Sequence, residues 1–129
     1  MNQKSQLGKL GEDIACQYLV DKGYKIIERN VRQPWGELDI VAKSKDKTLV
    51  FFEVKTMIDF ATGIKPEDQL TKAKLRKLQK TASLYAGHYP EKINNKRGWR
   101  IDLVAISLKK HPLLTKDKKD CDIRHYENI

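Results

Sequence analysis

The run Thr48-Leu49-Val50-Phe51-Phe52 limits the fold more than any other segment of this chain. In an extended strand Leu49 and Phe51 fall on one side and Val50, Phe52 and Val54 on the other, so neither side favours water. A strand that is apolar on both faces belongs in the middle of a sheet, with a covering layer above and below it. Lys25 to Val31 and Glu37 to Ala42 read as two earlier strands, punctuated by Pro34-Trp35-Gly36, and Ser44-Lys45-Asp46-Lys47 precedes the central strand from Thr48 to Thr56. Links this short join antiparallel neighbours, because a parallel pair needs a longer crossover.

The covering layers are legible as helices. Leu7, Leu10, Ile14 and Tyr18 recur three or four apart, with Gly11, Ala15 and Leu19 on an adjoining face. This predicts an amphipathic helix from about Ser5 to Asp21, with Ser5 as N-cap and Gly23 as the stop. Met57 to Asp68 reads as a loop entering a second helix, whose apolar stripe is Thr71, Leu75, Leu78, Ala82 and Tyr85 and whose remaining surface carries Lys72, Lys74, Arg76, Lys77 and Lys80. Gly87 and Pro90 are its expected end. Arg100 to Leu108 is a fourth strand, and the intervening helix is the crossover that lets the third and fourth strands run parallel. Asp122 to Tyr126 adds an edge strand. Lys109 to Asp120, polar apart from Pro112-Leu113-Leu114, is expected to be mobile. The sum is an α/β domain over residues 1–129, a mixed central sheet flanked by helices, of a length that supports one hydrophobic core.

Three charged residues interrupt these apolar strands. Asp39 lies in Gly36-Glu37-Leu38-Asp39-Ile40-Val41, and Glu53 and Lys55 in Val50-Phe51-Phe52-Glu53-Val54-Lys55. Burying such groups is costly unless they meet a partner. Period two puts Glu53 and Lys55 on one face, and strand pairing brings Asp39 toward Glu53 where the sheet meets solvent. Two carboxylates without thiolate or imidazole suit magnesium or manganese. A lysine beside them can orient water or hold a phosphate. The competing structural reading is a local Glu53–Lys55 ion pair with Asp39 at a strand end.

Composition narrows the partners. The formal charge of +9 raises the local concentration of a polyanion whatever its sequence. No stretch approaches the roughly 18 apolar residues of a membrane span, and Met1 to Leu10 lacks the apolar centre of a secretory signal, so a cytoplasmic location without membrane contact is expected. His88, His111 and His125 are scattered, which argues against structural zinc. Cys16 is read as a buried free thiol, and a Cys16–Cys121 disulfide is not required. Trp35, in its tight turn, either stacks on a base or packs over the sheet. Asp102 is read as an internal partner of Arg100 or of a backbone donor, and Tyr24, Tyr85 and Tyr89 as core or rim fillers.

The order Gly8-x-x-Gly11-Glu12, Gly36-Glu37-Leu38-Asp39-Ile40-Val41-Ala42, Phe51-Phe52-Glu53-Val54-Lys55-Thr56 and Arg100-Ile101-Asp102-Leu103-Val104 resembles the YraN-like family of uncharacterised bacterial proteins, UPF0102. That family in turn resembles archaeal Holliday-junction resolvases and the wider PD-(D/E)XK nuclease superfamily. The likeness runs from roughly Gly8 to Ile106. It implies a restriction-endonuclease-like core in which Asp39 and Glu53 hold the metal, the backbone carbonyl of Val54 adds an oxygen ligand, and Lys55 is the catalytic lysine. Glu12 resembles the acidic residue that the resolvase-like branch contributes from its first helix; a helix-surface charge is the alternative. Thr71 and Lys74 match the second-helix pattern, and Lys74, with Lys72 and Arg76, is expected to meet DNA phosphate. The chain departs from the pattern in spreading the Pro-Asp pair as Pro34-x4-Asp39 and in carrying Met57 where many relatives have a basic residue. The resulting expectation is a magnesium- or manganese-dependent DNA endonuclease, with branched or junction DNA as the narrower substrate and a homodimer, in which Leu113 and Leu114 take part, as the convenient assembly. A DNA-binding or repair-associated accessory protein without catalysis and a protein-interaction domain are the alternatives.

Overall fold

The computed structural model describes residues 3–58 and 65–129, so half of the expected Met57–Asp68 loop lies outside the described residues. A helix, α1 (Gln3–Asp21), is followed by the meander β1 (Lys25–Gln33), β2 (Gly36–Lys43) and β3 (Leu49–Ile58). The second helix, α2 (Lys72–His88), then carries the chain to β4 (Trp99–Leu108), and β5 (Cys121–Tyr126) closes the sheet. The strands lie side by side in chain order. β1–β2, β2–β3 and β4–β5 are antiparallel, and β3–β4 is parallel across the α2 crossover.

β3 is the central strand because each of its faces has a helix to bury against. Val50 and Phe52 join Ile40, Val104, Ile106 and the α1 residues Ile14, Ala15 and Leu19 in one core. Leu49 and Phe51 join Val41, Ile101 and the α2 residues Leu78, Ala82 and Tyr85 in the other. The mixed sheet flanked by helices is thus the expected architecture. Among the described residues no helix is long and apolar enough to cross a membrane.

The differences from expectation are local. α1 begins two residues before Ser5, so Ser5 lies within the helix and does not cap it. Thr71 is the exposed N-cap of α2, its hydroxyl accepting from the Lys74 amide at 3.2 Å, and not part of the apolar stripe, where Thr81 is buried instead. The helix also continues through Gly87 to His88, because a glycine in a last turn costs too little to stop it. Gly23 ends α1 as expected, with φ of 95°. Cys16 is half-buried and Cys121 buried, and both are free thiols. The Lys109–Asp120 segment carries two short 3-10 turns, Pro112–Leu114 and Lys118–Asp120, and Lys118 pairs with Asp21 at the end of α1.

Asp102, fully buried in β4, is the focus of a polar network. It accepts from Arg100 Nε at 2.9 Å and from the Asn128 amide at 2.9 Å, and it bonds His125 Nε2 at 2.8 Å. Arg100 also donates to the Tyr24 hydroxyl, and His125 Nδ1 lies 3.1 Å from that of Tyr18. Burial would raise the Asp102 pKa, but these hydrogen bonds outweigh it and hold the carboxyl below its usual range. Both partners expected for Asp102 are present.

Candidate functional site

The site begins with a fork in the sheet. The β2–β3 ladder runs from Lys43↔Leu49 to Ile40↔Phe52 and stops there; one more rung would set Asp39 against Glu53. Across the other edge of β2, Arg29 pairs with Ile40 and Val31 with Leu38, and the rung between them, Asn30 to Asp39, is missing. Asn30 has φ of 53°, a left-handed conformation that asparagine tolerates better than most residues. Residues two apart in a regular strand share a face, yet Leu38 packs with the α2 core and Ile40 with the α1 core. The irregularity is centred on Asp39 and frees its side chain from the ladder.

The Asp39 carboxylate fills the opening it helps create. Its Oδ2 accepts from the Val54 amide at 2.8 Å, replacing the strand partner that the fork removes. In an extended strand the carbonyl of a residue points to the same edge as its amide, so the Val54 carbonyl also faces the β2 side, the side on which the resemblance implies an oxygen ligand. Glu53 and Lys55 project from β3 toward α2, with Lys55 Nζ 3.2 Å from Glu53 Oε1 and side-chain exposures of 21% and 18% respectively. The local Glu53–Lys55 ion pair of the competing structural reading is present, and Asp39 and Glu53 line the same cleft.

These groups line a cleft of about 490 Å³ between the sheet and α2. The β1–β2 turn contributes Pro34, Trp35 and Gly36, the strands contribute Glu37, Asp39, Glu53 and Lys55, and α2 contributes Lys74, Lys77 and Thr81. Burial and the adjacent Asp39 charge push the Glu53 carboxyl up to about 7, against the pull of Lys55 and Lys74. Burial also raises Asp39, partly offset by the Val54 amide and Lys55. Two carboxylates that resist ionising together could hold a cation between them, and their hard oxygen donors fit magnesium or manganese. Among the described residues no group of three or more His, Cys, Asp or Glu side chains is gathered for a metal, so backbone oxygen and water would have to complete the shell.

Glu12 stands apart from this cleft. It lines a neighbouring hollow with Lys9, Asp13, Arg29, Asn30 and Arg32. Its side chain is 13% exposed, and Arg29 Nε lies 3.9 Å from its Oε1, close enough for an ion pair and too far for a hydrogen bond. That oxygen is the one buried side-chain polar atom without a hydrogen-bond partner among the described residues. Burial first, then the charge of Asp39, raises the Glu12 pKa. Glu12 therefore senses the carboxylate site electrostatically from the adjoining hollow. Of the three basic residues expected at phosphate, Lys74 lines the cleft, whereas Lys72 and Arg76 are exposed on α2 away from its lining. The sequence pattern does not distinguish Lys77 from the other α2 lysines; its position one turn from Lys74, on the flank of Leu78, is the available signal.

A model of the uncharacterised protein family UPF0102 matches residues 11–106. The chain belongs to that family. The matched span holds every residue of the cleft and stops short of β5. Among relatives, a UPF0102 protein of Clostridium botulinum (strain Loch Maree / Type A3) is 41% identical over 102 residues, covering 79% of this chain and 80% of its own length. One of Syntrophomonas wolfei is 47% identical over 85 residues, covering 66% and 72%. One of Fervidobacterium nodosum is 34% identical over 121 residues, covering 94% and 79%.

Proposed function

We propose that this UPF0102 protein is a magnesium- or manganese-dependent DNA endonuclease with a restriction-endonuclease-like, PD-(D/E)XK type of site, hydrolysing phosphodiester bonds in its sheet–α2 cleft. The observation that carries the reading is the meeting of Asp39, Glu53 and Lys55 at the β2–β3 fork, opposite Lys74 and Lys77. Asp39, Glu53 and the Val54 carbonyl would hold the cation, which supplies positive charge against that growing on the phosphoryl oxygens and acidifies water in its shell. The Lys55 ammonium, held beside Glu53, is placed to bind a phosphoryl oxygen or orient the attacking water. Lys74 and Lys77 bind flanking phosphates by charge, without reading sequence. Glu12, with its unpartnered oxygen, lies in the neighbouring hollow, close enough to feel the Asp39 charge.

The test incubates the pure protein with labelled duplex, nicked, flap and four-way DNA in either metal. Metal-dependent cleavage that E53A abolishes is expected, with branched substrates cut best. Intact DNA on every substrate, or cutting that persists in E53A, overturns the reading. A second reading, a DNA-binding accessory protein without turnover, draws on the small number of ligating side chains at the fork. It predicts salt-sensitive binding with no hydrolysis.

A further inference from the structure

Trp35 differs chemically from the rest of the cleft. The indole is half-buried in the two-residue turn closed by the Gln33↔Gly36 pair, where it packs against the α2 core and also lines the cleft with its lysines and carboxylates. Its position is held from two sides. Gly36 has φ of 148°, and a Cβ there would lie 2.2 Å from Thr81 Oγ1, so the turn is pressed against α2. His88 stacks on the indole with ring centroids 5.5 Å apart and planes 18° from parallel. The imidazole is itself fixed by a 2.7 Å hydrogen bond between Nδ1 and the Leu84 carbonyl. The other tryptophan, Trp99, lies edge-on to Phe51, is 36% exposed and does not line the cleft.

A rigid aromatic ring presented to a phosphate-binding cleft recognises another flat ring at little entropic cost. Every nucleobase offers such a face, but a duplex hides it within the stack, and only an unpaired nucleotide can bring it to the indole. Building on the nuclease reading above, we infer that Trp35 is a stacking platform and that the cleft takes DNA presenting an unpaired base. Lys74 and Lys77 carry the backbone of that strand while His88 keeps the indole in place. Trp35 thereby sets substrate structure, and the Asp39–Glu53–Lys55 fork does the chemistry.

A W99F chain leaves Trp35 as the sole indole. Its fluorescence is titrated at low salt, in chelator, with a short oligothymidylate and with an abasic oligomer of equal length and charge. Quenching by the base-bearing strand alone is expected. W35A is expected to weaken that strand's binding on the order of tenfold and leave the abasic strand unchanged, while W35F, which keeps a ring in the turn, retains most of the affinity. Equal quenching by both oligomers, or losses in W35A and W35F that are the same for both strands, overturns the inference. If both strands bind with salt dependence but without a base effect, the stacking role fails and the nuclease reading stands. If neither binds at low salt, both fail.

Discussion

At Asp39 one oxygen is committed to the Val54 amide and the charge is left to the cleft, so substitution can separate the two. In D39N the amide oxygen still accepts from Val54, and the protein should be at least as stable as its parent at alkaline pH while losing cleavage. D39A leaves a buried N–H unpaired and should cost about 1–3 kcal/mol in denaturant unfolding. Equal stability of the two variants would remove Asp39 from the ladder. Glu53 gives a pH signature. Its carboxyl is raised in the folded chain from 4.5 to about 7, so the unfolded chain releases its proton first as pH rises. The contribution of Glu53 to metal-free stability should therefore be fully present below the unfolded value and be lost between about pH 4.5 and about pH 7, a change on the order of 3 kcal/mol. E53Q should flatten that decline. A thermal-melt series in chelator showing the same slope in both proteins would refute it.

The two helices hold the site by very close contacts, one of them at Gly11. A Cβ there would stand 1.8 Å from Thr56 Oγ1 and 2.8 Å from its Cβ, so α1 meets β3 almost backbone to side chain, one residue from Glu12. G11A should destabilise by about 1–3 kcal/mol through overpacking. T56A, which removes the nearer atom but not the Cβ, should restore only part of that loss in a double-mutant cycle. Full additivity would show that the helix simply shifts. At this scale the sequence was informative. The two-sided apolar run of β3 demanded both helices, short links demanded the meander, and the length of the α2 crossover allowed the parallel pair. The fork was only half legible. Spacing brought Asp39 near Glu53, but the missing rungs depend on Asn30 adopting a left-handed conformation, which no local pattern announced. Glu12 enters through the resemblance and not through the helix period, and whether it opens into the cleft or the adjoining hollow depends on helix–sheet geometry. Lys77 was hidden among neighbours of identical charge, where only the docked face of α2 distinguishes one lysine from the next.

For the molecule as a whole, the formal charge is +9, and the cleft is lined by three carboxylates (Glu37, Asp39, Glu53) and three lysines (Lys55, Lys74, Lys77). DNA affinity should fall steeply with salt, and the joint K74A/K77A change should reduce the slope of log affinity against log salt by roughly one for each lysine removed. An unaltered slope would place the phosphate contacts elsewhere. Distant segments are also clamped: Glu67, just before α2, receives Arg124 of β5 at 2.7 and 2.9 Å and the Tyr126 hydroxyl at 2.6 Å. The Arg124 hydrogen bonds hold its carboxyl down at about 2. The clamp's stabilisation is present above the ordinary glutamate range and lost as pH falls toward that value. The sequential strand order, finally, bears on how the site is assembled in time. β1, β2 and β3 are contiguous in the chain, so their contacts close small loops, whereas β4 can join β3 only after α2 has been laid across the sheet. On that order Asp39 and Glu53 would meet before Lys74 and Lys77 arrive, and the folding barrier would carry their repulsion without its relief. Stopped-flow refolding should show D39N accelerating folding while K74A/K77A leaves that rate unchanged and alters only the unfolding limb.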